Sequence, residues 1–243
     1  MSVRVYSDRV ALGAAAAADV TALLRERLGS QAHVRLVLAS APSQAEFCAG
    51  LVTAPGVDWA RVTLFHMDEF IGLPPGAPQR FSEWLRRNVL VFLPEATFHR
   101  LMPSPDPEAE ATRYSALLAE TAIDAVCMGI GINGHIAFND PPVADFEDPL
   151  DVKIVEMDEV CRRQQVDDEG FPSMCAVPRK ALTLTVPRLI RADRLFCMVP
   201  GPQKAAAVRD ALKGPVSTAC PASALRRHAD CRLYLDTGSA SHV

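Results

Sequence analysis

The chain of 243 residues carries 25 basic and 29 acidic side chains, a net charge of −4, and 49% hydrophobic residues. That balance suits a globular α/β protein with a large core, and with no basic block to follow a phosphate backbone it discounts nucleic acid as a partner. No uninterrupted apolar run approaches the ~20 residues needed to span a bilayer, and Met1–Asp8 lacks a signal peptide's apolar core, so a cytoplasmic protein with no membrane partner is expected.

In chain order, Asp8 to Leu28 reads as an amphipathic helix rich in alanine, with Gly29 as its stop. Val34 to Ala39 reads as a buried strand, followed by the Ser40–Gln44 turn and a helix over Ala45 to Val52. Arg61 to His66 is the next strand, with Met67-Asp68-Glu69-Phe70 at its C-terminal end. Pro74, Pro75, Gly76 and Pro78 enforce a loop, after which Phe81, Trp84, Leu85, Val89 and Phe92 recur at helical spacing. A helix follows from Asp106 to Glu120, then the apolar strand Ala125 to Met128. Val152 to Val155 reads as a short strand, and 158–177, with weak periodicity and mixed charge, as a candidate lid. Ala181 to Thr185, Leu195 to Val199 and Cys231 to Leu235 complete the strands, with a helix over Gln203 to Leu212. Seven scattered cysteines show no zinc or redox spacing, so core packing and no metal site are expected of them.

Alternating strands and helices predict one α/β domain over 1–243, with a doubly wound, mainly parallel sheet, Rossmann-like, and helices on both faces. In such sheets ligands bind beyond the carboxyl ends of the strands. Three polar loops fall there: Ser40 to Gln44, Met67 to Glu69, and Asn133 to Asp140. The last is the richest, because the glycines of Gly129-Ile130-Gly131-Ile132-Asn133-Gly134 admit close backbone approach and His135, flanked by Asn133, Asn139 and Asp140, can move protons near neutral pH. The plainer readings are a satisfied core histidine in a tight turn, and Asp68 or Glu69 capping a helix.

Phe65-His66-Met67-Asp68-Glu69-Phe70-Ile71-Gly72-Leu73, Asn133-Gly134-His135-Ile136-Ala137-Phe138-Asn139-Asp140 and Gly201-Pro202-Gln203-Lys204-Ala205 resemble the glucosamine-6-phosphate deaminase family, within the wider superfamily that includes 6-phosphogluconolactonase and ribose-5-phosphate isomerase. The resemblance implies conversion of an amino-sugar phosphate to a ketose phosphate with release of ammonia and without a cofactor. It assigns Asp68 to proton transfer between adjacent sugar carbons, His135 to ring opening, and Asn133 and Asp140 to orienting the histidine. Two departures stand out. The family usually has aspartate at Asn133 and glutamate at Asp140; similar Asn-Gly-His loops occur in its galactosamine-6-phosphate branch. A Thr-Gly-Gly-Thr-like phosphate turn is here Ser40-Ala41-Pro42-Ser43, in which Pro42 has no N–H to offer.

Ser40, Ala41, Ser43, Gly134 and Lys204 are therefore the expected substrate contacts, with a lid arginine, Arg162 or more specifically Arg163, completing phosphate recognition. Self-association into a homo-oligomer is left open. A lactonase, which needs only base-assisted water attack, and a sugar-phosphate sensor that has lost catalysis are the alternative readings.

Overall fold

The computed structural model describes residues 1–168 and 170–243. Strand β1 (Ser2–Tyr6) leads into α1 (Arg9–Leu28), whose first turn is capped by the Asp8 carboxylate accepting from the Ala11 N–H at 2.8 Å. There follow β2 (Val34–Leu38), α2 (Ala45–Val52), β3 (Val62–His66) and a three-residue β4 (Asp68–Phe70). Helix α3 (Phe81–Leu85) continues as one π-helical turn, Arg86–Leu90, and is followed by β5 (Thr97–His99), α4 (Pro107–Ala119) and β6 (Ala125–Met128). The second half holds β7 (Val152–Glu156), α5 (Glu159–Asp167), β8 (Lys180–Leu184), α6 (Val186–Ile190), β9 (Arg194–Val199), α7 (Ala205–Lys213) and β10 (Cys231–Asp236).

Seven strands form a parallel sheet in the order β1-β10-β9-β6-β2-β3-β5. Its central strands are mostly apolar and buried because both faces are covered, with Arg35 of β2 the buried exception, donating to carbonyls near the end of α4. In β2, Leu36 and Leu38 pack with α1 and α2 residues such as Leu12, Val20 and Leu51, whereas Val37 turns to the opposite face with Tyr114 of α4 and Val208 of α7. The doubly wound parallel architecture expected from the alternation of elements is thus present. From β2 the chain proceeds outward through β3 and β5; from the adjacent β6 it proceeds the other way through β9 and β10. The loops after β2 and β6 therefore diverge at a topological switch point, where a crevice opens without any special sequence.

The sequence reading placed every strand in that one sheet, and here the structure differs. β4, β8 and β7 form a separate antiparallel sheet, with Asp68 opposite Thr183 and Phe70 opposite Ala181. Three residues carry no readable period, and periodicity does not reveal which sheet a strand joins. β1 and β5 were also not anticipated: both are short edge strands with largely solvated side chains. The helix anticipated beyond Phe81 is only five residues of α-helix before the π-turn.

Over the small sheet lies a third apolar cluster, in which Phe70, Phe138, Val155, Cys161 and Phe171 join segment 158–177 to the body. Arg162 pins this segment by donating to the carbonyls of Met174 (2.6 Å) and Val177 (3.0 Å). Among the described residues no helix is long and apolar enough to cross a membrane.

Candidate active site

At the switch point a cavity of about 450 Å³ is bounded by the turn after β2, by β4, by the loop after β6, by α5 and by the turn before α7. The loop after β6 owes its shape to two glycines. A Cβ at Gly131 would overlap the His135 ring, and one at Gly134, where φ is +81°, would stand 2.7 Å from Cys220 Sγ. Ala137, φ +50°, adopts the left-handed conformation without being glycine, a local strain of the kind held where the surroundings over-determine it. What fixes it is the tight turn around it. Asn139 donates from Nδ2 to the carbonyls of Ile136 (2.9 Å) and Leu184 (2.8 Å), and the Phe138 N–H donates to Thr183 Oγ1 (3.0 Å), tying the loop to the small sheet.

Asn133 and Asp140 both reach His135. Asn133 Oδ1 accepts from the His135 backbone N–H at 3.1 Å and lies 2.7 Å from the ring Nδ1, while Asp140 Oδ1 lies 3.0 Å from the same nitrogen. Two acceptors facing Nδ1 assign the hydrogen to that nitrogen and leave Nε2 as a lone-pair acceptor for the cavity. The Asn133 amide then donates from Nδ2 to Asp140 Oδ1 (3.0 Å) and to Asp158 Oδ2 (3.3 Å). Burial is the largest influence on Asp140 and opposes its charge. The hydrogen bonds from His135, Asn133 and the Asp158 N–H nevertheless outweigh it, holding the carboxyl below its ordinary value. His135, Asp140 and Cys161 bring their polar side-chain atoms within 4.8 Å of one another, the set here best placed to meet a cation, though the Nδ1 hydrogen already fills the approach between ring and carboxylate.

Asp68 lines the same cavity from β4 and is almost entirely buried. Burial, and then the neighbouring charge of Glu69, push its carboxyl well above the ordinary aspartate value. The two adjacent acids divide the readings offered by the sequence. Glu69 turns away and caps α3, accepting from the N–H groups of Phe81 and Ser82 (both 3.1 Å) and from Ser82 Oγ (2.8 Å). Asp68 makes no such cap and faces the cavity.

Ser40, Ala41 and Ser43 all line the cavity. Pro42 begins a short 3₁₀ turn, Pro42–Gln44, a first-turn position at which a missing N–H costs nothing, and Ser40 Oγ is buried without a hydrogen-bond partner among the described residues. Lys204, placed by a 3₁₀ turn after Gly201 (φ +100°), also lines the cavity and is only 6% exposed. Burial, partly offset by Asp168, pulls its ammonium down to about 8.

Gly134 is not part of the lining; its carbonyl accepts from the Ala222 N–H at 2.8 Å, a packing role. Arg163 is exposed and also outside the lining, so the lid arginine expected from the sequence does not reach the cavity. The reason is helical phase: Cys161, Gln164, Gln165 and Asp168 form the inward i, i+3, i+4, i+7 stripe of α5 and its end, and Arg163 falls off it. Two residues escaped the sequence reading. Arg87, on the π-helical turn, lines the cavity mouth and donates to the Pro78 carbonyl (2.9 Å). Asp158 was readable only as the acidic residue just before a helix.

Fold and cavity together define an α/β protein that takes a small ligand at a topological switch point. The sequence pattern of the family described as "Glucosamine-6-phosphate isomerases/6-phosphogluconolactonase" matches residues 7–234, and the chain belongs to that family. It is 33% identical over 188 residues to a glucosamine-6-phosphate deaminase of Exiguobacterium sibiricum, covering 76% of this chain and 72% of the relative. Over 207 residues it is 30% identical to one of Lactobacillus delbrueckii subsp. bulgaricus, covering 85% and 86%. Among solved structures it matches a monomeric glucosamine-6-phosphate deaminase with a TM-score of 0.92 and 27% identity over 100% of both chains. The 6-phosphogluconolactonase from Trypanosoma brucei shares the fold, with a TM-score of 0.82 and 17% identity over 100% of this chain and 98% of that one.

Proposed function

We propose that this chain deaminates and isomerises a hexosamine 6-phosphate, glucosamine-6-phosphate or a close relative, to the ketose phosphate with release of ammonia. The observation that carries this reading is a cavity shared by a buried carboxylate, Asp68, and a histidine whose Nε2 lone pair is free, His135. His135 opens the sugar ring, taking the proton of the anomeric hydroxyl on Nε2 and returning it to the ring oxygen. Asp68 then removes the proton from C2 and delivers it to C1, while a proton of the amine passes to O1, so that C1 becomes a hydroxymethyl carbon and the C2 amine an imine; water adds to C2, and ammonia leaves. Burial serves this step, since a carboxylate stripped of water is a stronger base than an exposed one.

Lys204, the hydroxyls of Ser40 and Ser43 and the backbone of Ala41 hold the phosphate. Segment 158–177 acts as a lid, bringing Gln164 and Gln165 over the ligand, and the whole chain works as one domain in the cytoplasm. The similar deaminase being monomeric favours a single chain as the active unit over the homo-oligomer left open by the sequence. A lactonase would have no use for a second, buried base, which disfavours that reading. Ammonia release from glucosamine-, galactosamine- and mannosamine-6-phosphate, beside hydrolysis of 6-phosphogluconolactone, tests the proposal. Turnover of the lactone alone, or binding of all four without turnover, would refute it.

A further inference from the structure

Asp158 does more than start a helix. One carboxylate oxygen, Oδ1, caps α5 by accepting from the Glu159 N–H at 2.8 Å. That contact satisfies one of the unpaired donors of the first turn. The other oxygen, Oδ2, turns inward and accepts from Asn133 Nδ2 at 3.3 Å, and the Asp158 backbone N–H donates to Asp140 Oδ2 at 3.1 Å. Asn133 is thereby saturated: its two amide hydrogens go to two different carboxylates, and its oxygen serves the backbone and ring of His135.

We infer that Asp158 is a positioning residue for His135, acting through Asn133 and Asp140, and that its inward oxygen is what requires an amide at position 133. An aspartate there has no hydrogen to give. It would oppose oxygen to oxygen at about 3 Å toward both Asp140 and Asp158, a spacing at which like charges cannot all persist. Positions 133 and 158 thus form a donor–acceptor couple, one amide and one carboxylate. Because Asp158 begins the helix whose inward stripe carries Gln164 and Gln165, the couple also ties the placement of the lid helix to the orientation of the histidine ring. The inference rests on the reading of His135 as the group that acts on substrate.

Four proteins test it: wild type, Asn133→Asp, Asp158→Asn, and the exchange Asn133→Asp/Asp158→Asn. Asn133→Asp should lose about tenfold or more in kcat, and the exchange should recover part of that loss, since it restores the hydrogen bond between positions 133 and 158 while Asp140 still faces the new carboxylate. Losses that simply multiply would overturn the proposal. Asp158→Ser separates capping from positioning, because serine still caps a helix but is too short to reach Asn133. An unchanged melting temperature with lowered kcat supports positioning, and unchanged kcat overturns it, a result that also decides the matter should Asn133→Asp fail to fold.

Ring ¹⁵N shifts of His135 supply a readout independent of turnover. A changed ring ¹⁵N pattern in Asn133→Asp, from a second ring N–H or a displaced ring, and its return toward the wild-type pattern in the exchange support the couple; identical spectra in all four proteins refute it. If wild type turns over no amino-sugar phosphate, the reading of the reaction fails while these spectra still decide the positioning role.

Discussion

Replacing Lys204 by glutamine isolates the electrostatics of phosphate binding. The ammonium is 6% exposed, and burial has drawn it from 10.5 to about 8. A group titrating there is about nine-tenths charged at pH 7 and about one-tenth at pH 9. If only the charged form holds the phosphate, wild-type affinity should fall about tenfold across those two pH units. The ligand adds nothing to this slope, because a phosphate monoester, with its second pKa near ~6, is already dianionic throughout. Lys204→Gln should instead bind about 10- to 100-fold more weakly at pH 7, the worth of a charge-assisted hydrogen bond at about 1.5–3 kcal/mol, and with no slope between pH 7 and 9. Calorimetric titration with a non-reacting hexitol 6-phosphate reads both quantities. In buffers of different ionisation enthalpy at pH 8, the wild type should take up protons on binding, since the dianion restores the lysine's charge, and the variant should not. A variant that keeps the wild-type slope would show that another group titrates, and the placement of the phosphate against Lys204 would be wrong.

Asp68→Asn should lower kcat by about 10²–10⁴ while leaving affinity for the same analogue within about threefold, because the amide keeps the shape and cannot take the proton. Its stability follows with a definite sign. Asp68 has a folded-state pKa raised above the ordinary 3.8, so its stabilising contribution is complete below that value and is lost as pH rises through the folded pKa. Thermal melts should therefore find the variant more stable than wild type at neutral pH, with the gap closing in acid, and an equal gap at all pH values would contradict the burial argument. Glu69→Gln removes the second cause of the Asp68 shift, so the acid limb of kcat/KM should move to lower pH, at a cost of about 1–2 kcal/mol from the weakened α3 cap; an unmoved limb would assign it to another group. Gly131→Ala should push the His135 ring off its acceptors and cost about tenfold or more in kcat with a lowered melting temperature, and unchanged kcat would mean that the ring's placement is immaterial.

What the sequence made legible was whatever repeats or stands in one run. The buried strand Ala125 to Met128 announces itself by unbroken apolar composition and Val34 to Leu38 by an apolar run that only Arg35 interrupts, and their polar C-terminal loops then have to meet at the switch point. The Asn133–Asp140 loop was legible for the same reason, since the histidine and both of its partners lie within eight residues. Lys204 and Ser40 came through the motifs around them. Arg163 did not reach the cavity because the sequence offered two adjacent arginines and no phase; the phase of α5 is set by Cys161 packing on Phe70 and Phe138, residues far away in the chain.

Asp158 illustrates the deeper limit. Its local meaning, an acid before a helix, was complete without reference to the site, and only the approach of α5 to the loop after β6 gives its second oxygen a partner. The unusual amide at position 133 and the ordinary helix cap at 158 look unrelated when 25 residues separate them. In the folded chain they share one hydrogen bond, which gives the amide a second acceptor and the cap a second role to test.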